Sequence, residues 1–310
     1  MRRVALIDAR EIEMDAERDV LSLPVARDAA FEALYSYVAV DEPAVHLMPM
    51  HFCPAEQVRA VGFEALHTLG VASKLEYVRS RWIDEVVDAG MPASLSSAHR
   101  LHAGLLDLIE ARYAEALGDR IHRFRRKLVE LHARHAMSVA VDGAPLRGRL
   151  RTPNFEDYVE HARARHGPYG APVDAVLLLA GAPDEVLRSA KVSWHNWALG
   201  VQLYDDAVDV EEDFGSGAPS WTVLRALGDL SRGQESAPTA SPESDAFYVA
   251  ALKRGAVFEI LRRAEWFLRQ SALTAEGRFP TWVALQEACL DQTRKLREDL
   301  QALVPATGGP

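Results

Sequence analysis

The sequence predicts an all-α protein. Ala, Leu, Arg and Glu dominate it, apolar residues recur at the helical period, and β-type alternation bounded by turn residues is rare. Candidate helices span residues 25–40, 54–89, 95–117, 119–140, 155–165, 173–180, 183–212, 221–230, 244–270 and 281–303. Several boundaries have a chemical reason: Pro54 suits an early helical position, Ser94 or Ser96 can cap the next helix, and Gly118 closes it. Residues 141–153 form a Gly/Pro/Arg connector and 231–245 a Ser/Pro/Glu-rich exposed loop, while the Pro/Gly tail after 304 should fray. Neither break is long enough to force independent domains, so residues 1–310 are expected to form one bundle of roughly ten helices.

Composition narrows the function. With 48% hydrophobic and 26% charged residues the chain is an ordinary globular one, and 35 basic against 45 acidic residues leave a formal charge of −10. That balance disfavours nucleic acid and anionic membrane as general partners. Two cysteines far apart, without a CxxC, suggest neither a disulfide framework nor a thiolate zinc site. No signal-peptide pattern and no apolar run of spanning length is present, and the expected location is the cytoplasm.

Acidic clusters carry the strongest signal. Asp205, Asp206, Asp209 and Asp213 recur at i,i+3 and i,i+4 near the end of one predicted helix, with Glu211 and Glu212 between them. Each like-charge pair costs about 0.2–0.5 kcal/mol, and the negative end of the macrodipole adds to the penalty. A hard divalent cation reverses both, because Mg²⁺ takes carboxylate and phosphate oxygens. The upstream stripe of Trp194, Trp197, Ala198 and Val201 leads into Asp205 and Asp209, and Val192, Leu199, Leu203 and Val210 make the other side apolar, which predicts a helix buried nearly all round. Asp84, Glu85 and Asp88 repeat the acid-acid-x-x-acid spacing at the end of the 54–89 helix, below a stripe of Gly70, Ser73, Tyr77, Ser80 and Arg81 that suits a pocket wall. Two such helix ends facing each other would bind divalent ions and, through them, a diphosphate. The rest of the pocket should then be apolar and aromatic, to exclude water and stabilise a carbocation, with Tyr77, Trp194, Trp197 and Tyr204 placed to contribute.

The pattern Gly200, Gln202-x-x-Asp205-Asp206-x-x-Asp209, followed by Asp213 and Gly217-Ala-Pro219, resembles the second Asp-rich motif of the class I isoprenoid synthase superfamily, in its trans-prenyltransferase or polyprenyl synthetase-like branch. Tyr158, Arg165-His166 and the apolar 176–181 segment stand where that family has a tyrosine-containing helix, a Lys-Thr pair and an apolar segment. The resemblance covers about residues 54–230 and implies a helical bundle around a central apolar cavity. It further implies a cluster of up to about three Mg²⁺ ions, an isoprenyl diphosphate substrate, Gln202 in substrate binding and Arg165 in place of a diphosphate-binding lysine. Glu64-x-x-His67 is similar to the helix leading into the family's first Asp-rich motif, although Asp84 comes later than that spacing predicts.

The departures bear on the reaction. No Gly-Lys-Arg stands near the start and no Arg-Arg-Gly follows the first acidic cluster, where Met91-Pro-Ala-Ser is found. Without residues for a homoallylic co-substrate, the leading expectation is a Mg²⁺-dependent terpene synthase, with Asp84, Asp88, Asp205 and Asp209 as its catalytic acids. The alternatives are a prenyl diphosphate synthase, a head-to-head condensing enzyme suggested by the DxxxD spacings, and a non-catalytic helical subunit. His99/His102 and His132/His135 lack a third ligand and read as solvated helix histidines, and the basic 120–134 run reads as an amphipathic surface helix through which two copies could pair. No P-loop, GxSxG or Rossmann glycine pattern occurs.

Overall fold

The protein is described by a computed structural model covering residues 8–23, 29–38, 43–54, 56–88, 95–142, 155–216, 220–231 and 244–304. Every regular element among the described residues is helical. In chain order these are α1 (Ala9–Leu21), α2 (Ala29–Val38), α3 (Pro43–His46), α4 (Met48–Phe52), α5 (Val58–Val61), α6 (Phe63–Asp88), α7 (Leu95–Leu117), α8 (Ile121–Asp142) and α9 (Phe155–Arg165). There follow α10 (Ala171–Ala180), α11 (Asp184–Val208), α12 (Val210–Ser216), α13 (Trp221–Ser231), α14 (Ser244–Lys253), α15 (Ala256–Ala275) and α16 (Pro280–Leu303). The all-α expectation holds.

Three predicted helices are each split in two, twice at a glycine. Gly62, at φ 88°, separates α5 from α6, and Gly255, at φ 80°, separates α14 from α15; both lie in the left-handed region that only glycine enters without strain. The third break, at Asp209, keeps its backbone hydrogen bonds. Helix α1 was not expected; Asp8 caps it by accepting from the Arg10 amide, and Ile12, Ala16 and Val20 form its buried stripe. Most of the predicted 141–153 and 231–245 loops, all of the tail after 304, and the Met91 and Gly217 segments lie outside the described residues.

The chain divides into two compact units. The first comprises Met1–Val141, Ala164–Lys191 and Gly277–Thr281, and α6 is its central helix. Between Leu66 and Trp82 every α6 residue is buried except His67, Tyr77 and Arg81. Leu75, Val78 and Trp82 supply the expected packing face, and Leu101, Leu105, Ile109 and Tyr113 line the buried stripe of α7. A Cβ on Gly70 would fall 2.6 Å from the Ile12 Cδ1 atom, so this glycine is what lets α1 lie close against α6. The last turn of α10 is closed by Gly181 at φ 61° and by Arg120, whose Nη1 donates to the carbonyls of Leu178 at 3.1 Å and Leu179 at 2.8 Å.

The interior of this unit is charged. Lys74, Glu76 and Arg79 are at most 1% exposed. Glu76 accepts from Arg79 Nε at 3.3 Å and pairs with His132 Nε2 at 2.8 Å. His135 is buried, and burial followed by the charge of Arg79 pushes it down to about 2 and His102 to about 4. His102, His132 and His135 thus face the unit's interior, correcting the solvated reading for these three, while His99 is exposed as expected; α8 turns its Phe124, Leu128 and His135 face inward.

The second unit comprises Asp142–Arg163, Val192–Glu276 and Trp282–Pro310. Its core gathers Leu199, Leu203, Ala207 and Val210 with Trp221, Val223, Phe247, Val257, Ile260, Leu261 and Ala264. Gly200 brings α15 close, since a Cβ there would meet Leu268 Cγ at 2.7 Å. A buried polar lock joins α11, α15 and α16: Ser271 Oγ donates to the Ser193 carbonyl at 2.8 Å, and Trp282 Nε1 donates to Ser193 Oγ at 2.8 Å.

Candidate active site

Helical phase decides which carboxylates the end of α11 presents. Leu199, Leu203, Ala207 and Val210 set the buried face, and Asp206 lies on it, 5% exposed. Asp205 and Asp209 fall on the outer face and are exposed, as are Val192 and Val208. The expectation that α11 is buried nearly all round, with Asp205 and Asp209 continuing the apolar stripe, is therefore corrected: the stripe continues into Asp206. Both Asp206 oxygens are engaged, Oδ2 accepting from the Tyr158 hydroxyl at 3.1 Å and Oδ1 from Gln202 Nε2 at 2.8 Å. Tyr158 is itself held by a stacked Phe155 ring at 5.9 Å and by Trp221 at 5.5 Å.

The backbone carries the acids onward. The Asp209 amide donates to the Asp205 carbonyl and the Asp213 amide to the Asp209 carbonyl, both at 2.8 Å, so the helical ladder persists where α11 passes into α12. Asp205, Asp209 and the half-buried Asp213 consequently follow one another by single turns. Tyr204 is half-buried and its hydroxyl accepts from Gln292 Nε2 at 3.3 Å. Trp194 and Trp197 are buried against each other at 4.9 Å and against Trp282 at 6.2 and 5.4 Å. The rings they pack against are thus one another and a third indole.

In the first unit, Asp84 stands near the end of α6, and its Oδ2 meets Arg165 Nη2 at 3.4 Å. Tyr169, which the sequence reading did not single out, packs against Tyr77 at 6.3 Å and His166 at 6.0 Å. Burial, and behind it the charge of Asp84, pushes the Tyr169 hydroxyl well up. Lys74 Nζ lies 5.4 Å from the Tyr77 ring centre. The first unit thus brings Asp84, Arg165 and Tyr77 into one neighbourhood. Glu85 and Asp88 belong to the same helix, and their side chains lie outside the described residues.

A divalent metal fits the donor chemistry. Asp205 and Asp209 offer exposed, hard oxygen ligands one turn apart, whereas both cysteines carry thiols that burial pushes up. Within neither unit, among the described residues, do three or more His, Cys, Asp or Glu side chains already converge as a complete metal-binding group. No described helix is long and apolar enough to cross a membrane.

No family model and no curated protein sequence matches the chain. Solved structures do. The geranylgeranyl pyrophosphate synthetase of the archaeon Geoglobus acetivorans is similar at a TM-score of 0.73 and 13% identity, with 91% of this chain and 98% of that one covered. The geranylgeranyl pyrophosphate synthase of Lactobacillus brevis is similar at a TM-score of 0.70 and 14% identity, over 94% and 95% of the two chains. A polyprenyl synthase from Caulobacter crescentus, solved with calcium and isoprenyl diphosphate, is similar at a TM-score of 0.64 and 16% identity, over 92% and 94%. At these identities the likeness is one of fold: over 91–94% of its length the chain has the all-α fold of these prenyl synthases.

Proposed function

We propose that the protein is a divalent-metal-dependent prenyltransferase acting on isoprenyl diphosphates, a prenyl diphosphate synthase in reaction type. The observation that carries this reading is the exposed Asp205 and Asp209 pair, one turn apart on a chain whose fold is that of prenyl diphosphate synthases. It takes precedence over the terpene cyclase expectation because the similar structures bear the names of chain-elongating enzymes. The cyclase remains the second reading on one specific feature, the missing Gly-Lys-Arg and Arg-Arg-Gly segments.

Asp205 and Asp209, with Asp213 one turn further, would hold Mg²⁺ in the second unit. Bound there, the metal supplies charge neutralisation to the diphosphate as its carbon–oxygen bond breaks and the electron pair leaves with oxygen. In the first unit Arg165, now in contact with Asp84, is a guanidinium of the kind that binds phosphate oxygens. In the transferase the double bond of a homoallylic diphosphate attacks the allylic carbon and a proton is lost. In the cyclase the substrate's own double bond attacks.

Turnover of C10 to C20 prenyl diphosphates, with and without Mg²⁺ and isopentenyl diphosphate, tests both readings. Longer prenyl diphosphates that form only with isopentenyl diphosphate support the synthase. Diphosphate release with hydrocarbon or alcohol products in its absence supports the cyclase. No metal-dependent turnover at any chain length overturns both and leaves a non-catalytic helical subunit.

A further inference from the structure

We infer that Tyr158, together with Gln202, is a positioning residue for the acidic end of α11, acting through Asp206. The inference rests on the reading of Asp205 and Asp209 as metal ligands and adds that Asp206 is not one. Three observations support it. Asp206 is buried while its neighbours in the motif are exposed. Each of its carboxylate oxygens already accepts a hydrogen bond, from Tyr158 at 3.1 Å and from Gln202 at 2.8 Å. The Tyr158 ring cannot follow a drifting carboxylate, because it is 7% exposed and packed against Phe155 and Trp221 within the core.

A buried carboxylate is costly unless its charge is met by donors, and here two neutral donors meet it. Asp206 therefore works as a peg. Its Oδ2 is tied to α9, which resists rotation of α11 about its own axis, and its Oδ1 to the preceding turn of α11, which holds the carboxylate in the rotamer that reaches Tyr158. The helix setting so held places Asp205 and Asp209 on the outer face. Groups that orient metal ligands from behind typically account for about 10–100-fold in metal affinity. Gln202, expected from the family resemblance to touch substrate, here spends its amide on Asp206.

Mn²⁺ binding, followed by the loss of the free-ion electron paramagnetic resonance signal with and without inorganic diphosphate, tests this without any prenyl substrate. Tyr158→Phe should weaken Mn²⁺ binding by about 10-fold or more. Gln202→Met, made on a half-buried face, should act in the same direction and keeps the test open if the core variant folds poorly. Asp206→Asn retains an acceptor for Gln202 and can donate to the tyrosine oxygen, so it should cost no more than Tyr158→Phe and add little on top of it. Asp205→Asn should abolish binding. Mn²⁺ affinity left unchanged by Tyr158→Phe and Gln202→Met, or abolished by Asp206→Asn as by Asp205→Asn, overturns the inference. A protein with the expected metal pattern and no prenyl turnover keeps the inference and loses the proposed function. Turnover with an unchanged metal affinity in both positioning variants does the reverse.

Discussion

The two units bury different chemistry. The first encloses His46, Lys74, Glu76, Arg79 and His135 in its core, whereas Asp206 is the one charged side chain buried in the second, among the described residues. One acid from each unit shows a difference in how it is held. Asp84 lies against a cation, Arg165, while Asp206 is held by the neutral hydroxyl of Tyr158 and the amide of Gln202. A contact between two part-exposed charges is readily exchanged for another anion or cation, and a carboxylate hydrogen-bonded to a donor in a packed aromatic setting is not. Asp84 thus sits in an exchangeable contact at the end of α6, and Asp206 in a packed one at the end of α11.

The contrast fails if breaking the first unit's interior charge is cheap. Arg79→Met leaves Glu76 buried with its guanidinium partner removed and should cost about 3–5 kcal/mol in urea denaturation. Adding Glu76→Leu should recover much of that loss, because an apolar pair replaces a charged one. In the second unit Trp282→Ala should cost a similar ~3–5 kcal/mol by a different route, through lost volume in the Trp194, Trp197 and Trp282 cluster and a lost donor to Ser193. No second substitution of like polarity should rescue it. Gly200→Ala comes next, at about 1–3 kcal/mol, since the new methyl group presses on Leu268 Cγ and, at 3.2 Å, on its backbone nitrogen.

Acid gives the clearest regional effect. Burial lowers His46 to about 3, His51 and His102 to about 4 and His135 to about 2, and all four belong to the first unit. Unfolded histidines titrate near 6.5. Between that value and pH 4 the unfolded chain takes up protons that the folded unit refuses, so stability falls as pH falls, by at most ~1.4 kcal/mol per pH unit for each histidine. Hydrogen exchange read by mass spectrometry should show α6 and α7 losing protection before α15 as pH is lowered from 6.5 to 4. Simultaneous loss would erase the distinction.

Much of this was legible in the sequence where the information is local. Period-3.6 patterning is enough for an all-α fold, and acids at i,i+4 mark the end of α11. What escaped depends on distant partners. Lys74, Glu76 and Arg79 look like an ordinary polar helix face until His132, far along the chain, is brought against Glu76. Which acid of the 205–209 group turns inward was readable in principle, because Leu199, Leu203 and Val210 share a face with Asp206; following the tryptophans instead selected Asp205 and Asp209. Gly62 and Gly255 also sat in plain view inside helical patterns, and their positive φ values explain the breaks there.

The unbroken ladder at Asp209 makes the spacing of this segment its sensitive variable. Deleting Val208 alone would swing everything downstream by about 100°, turning Asp209 and Asp213 out of line with Asp205 while leaving every acid in the chain. Removing a block of roughly four residues would nearly restore the alignment. Evolution along this stretch should accordingly tolerate changes of letter more readily than changes of length.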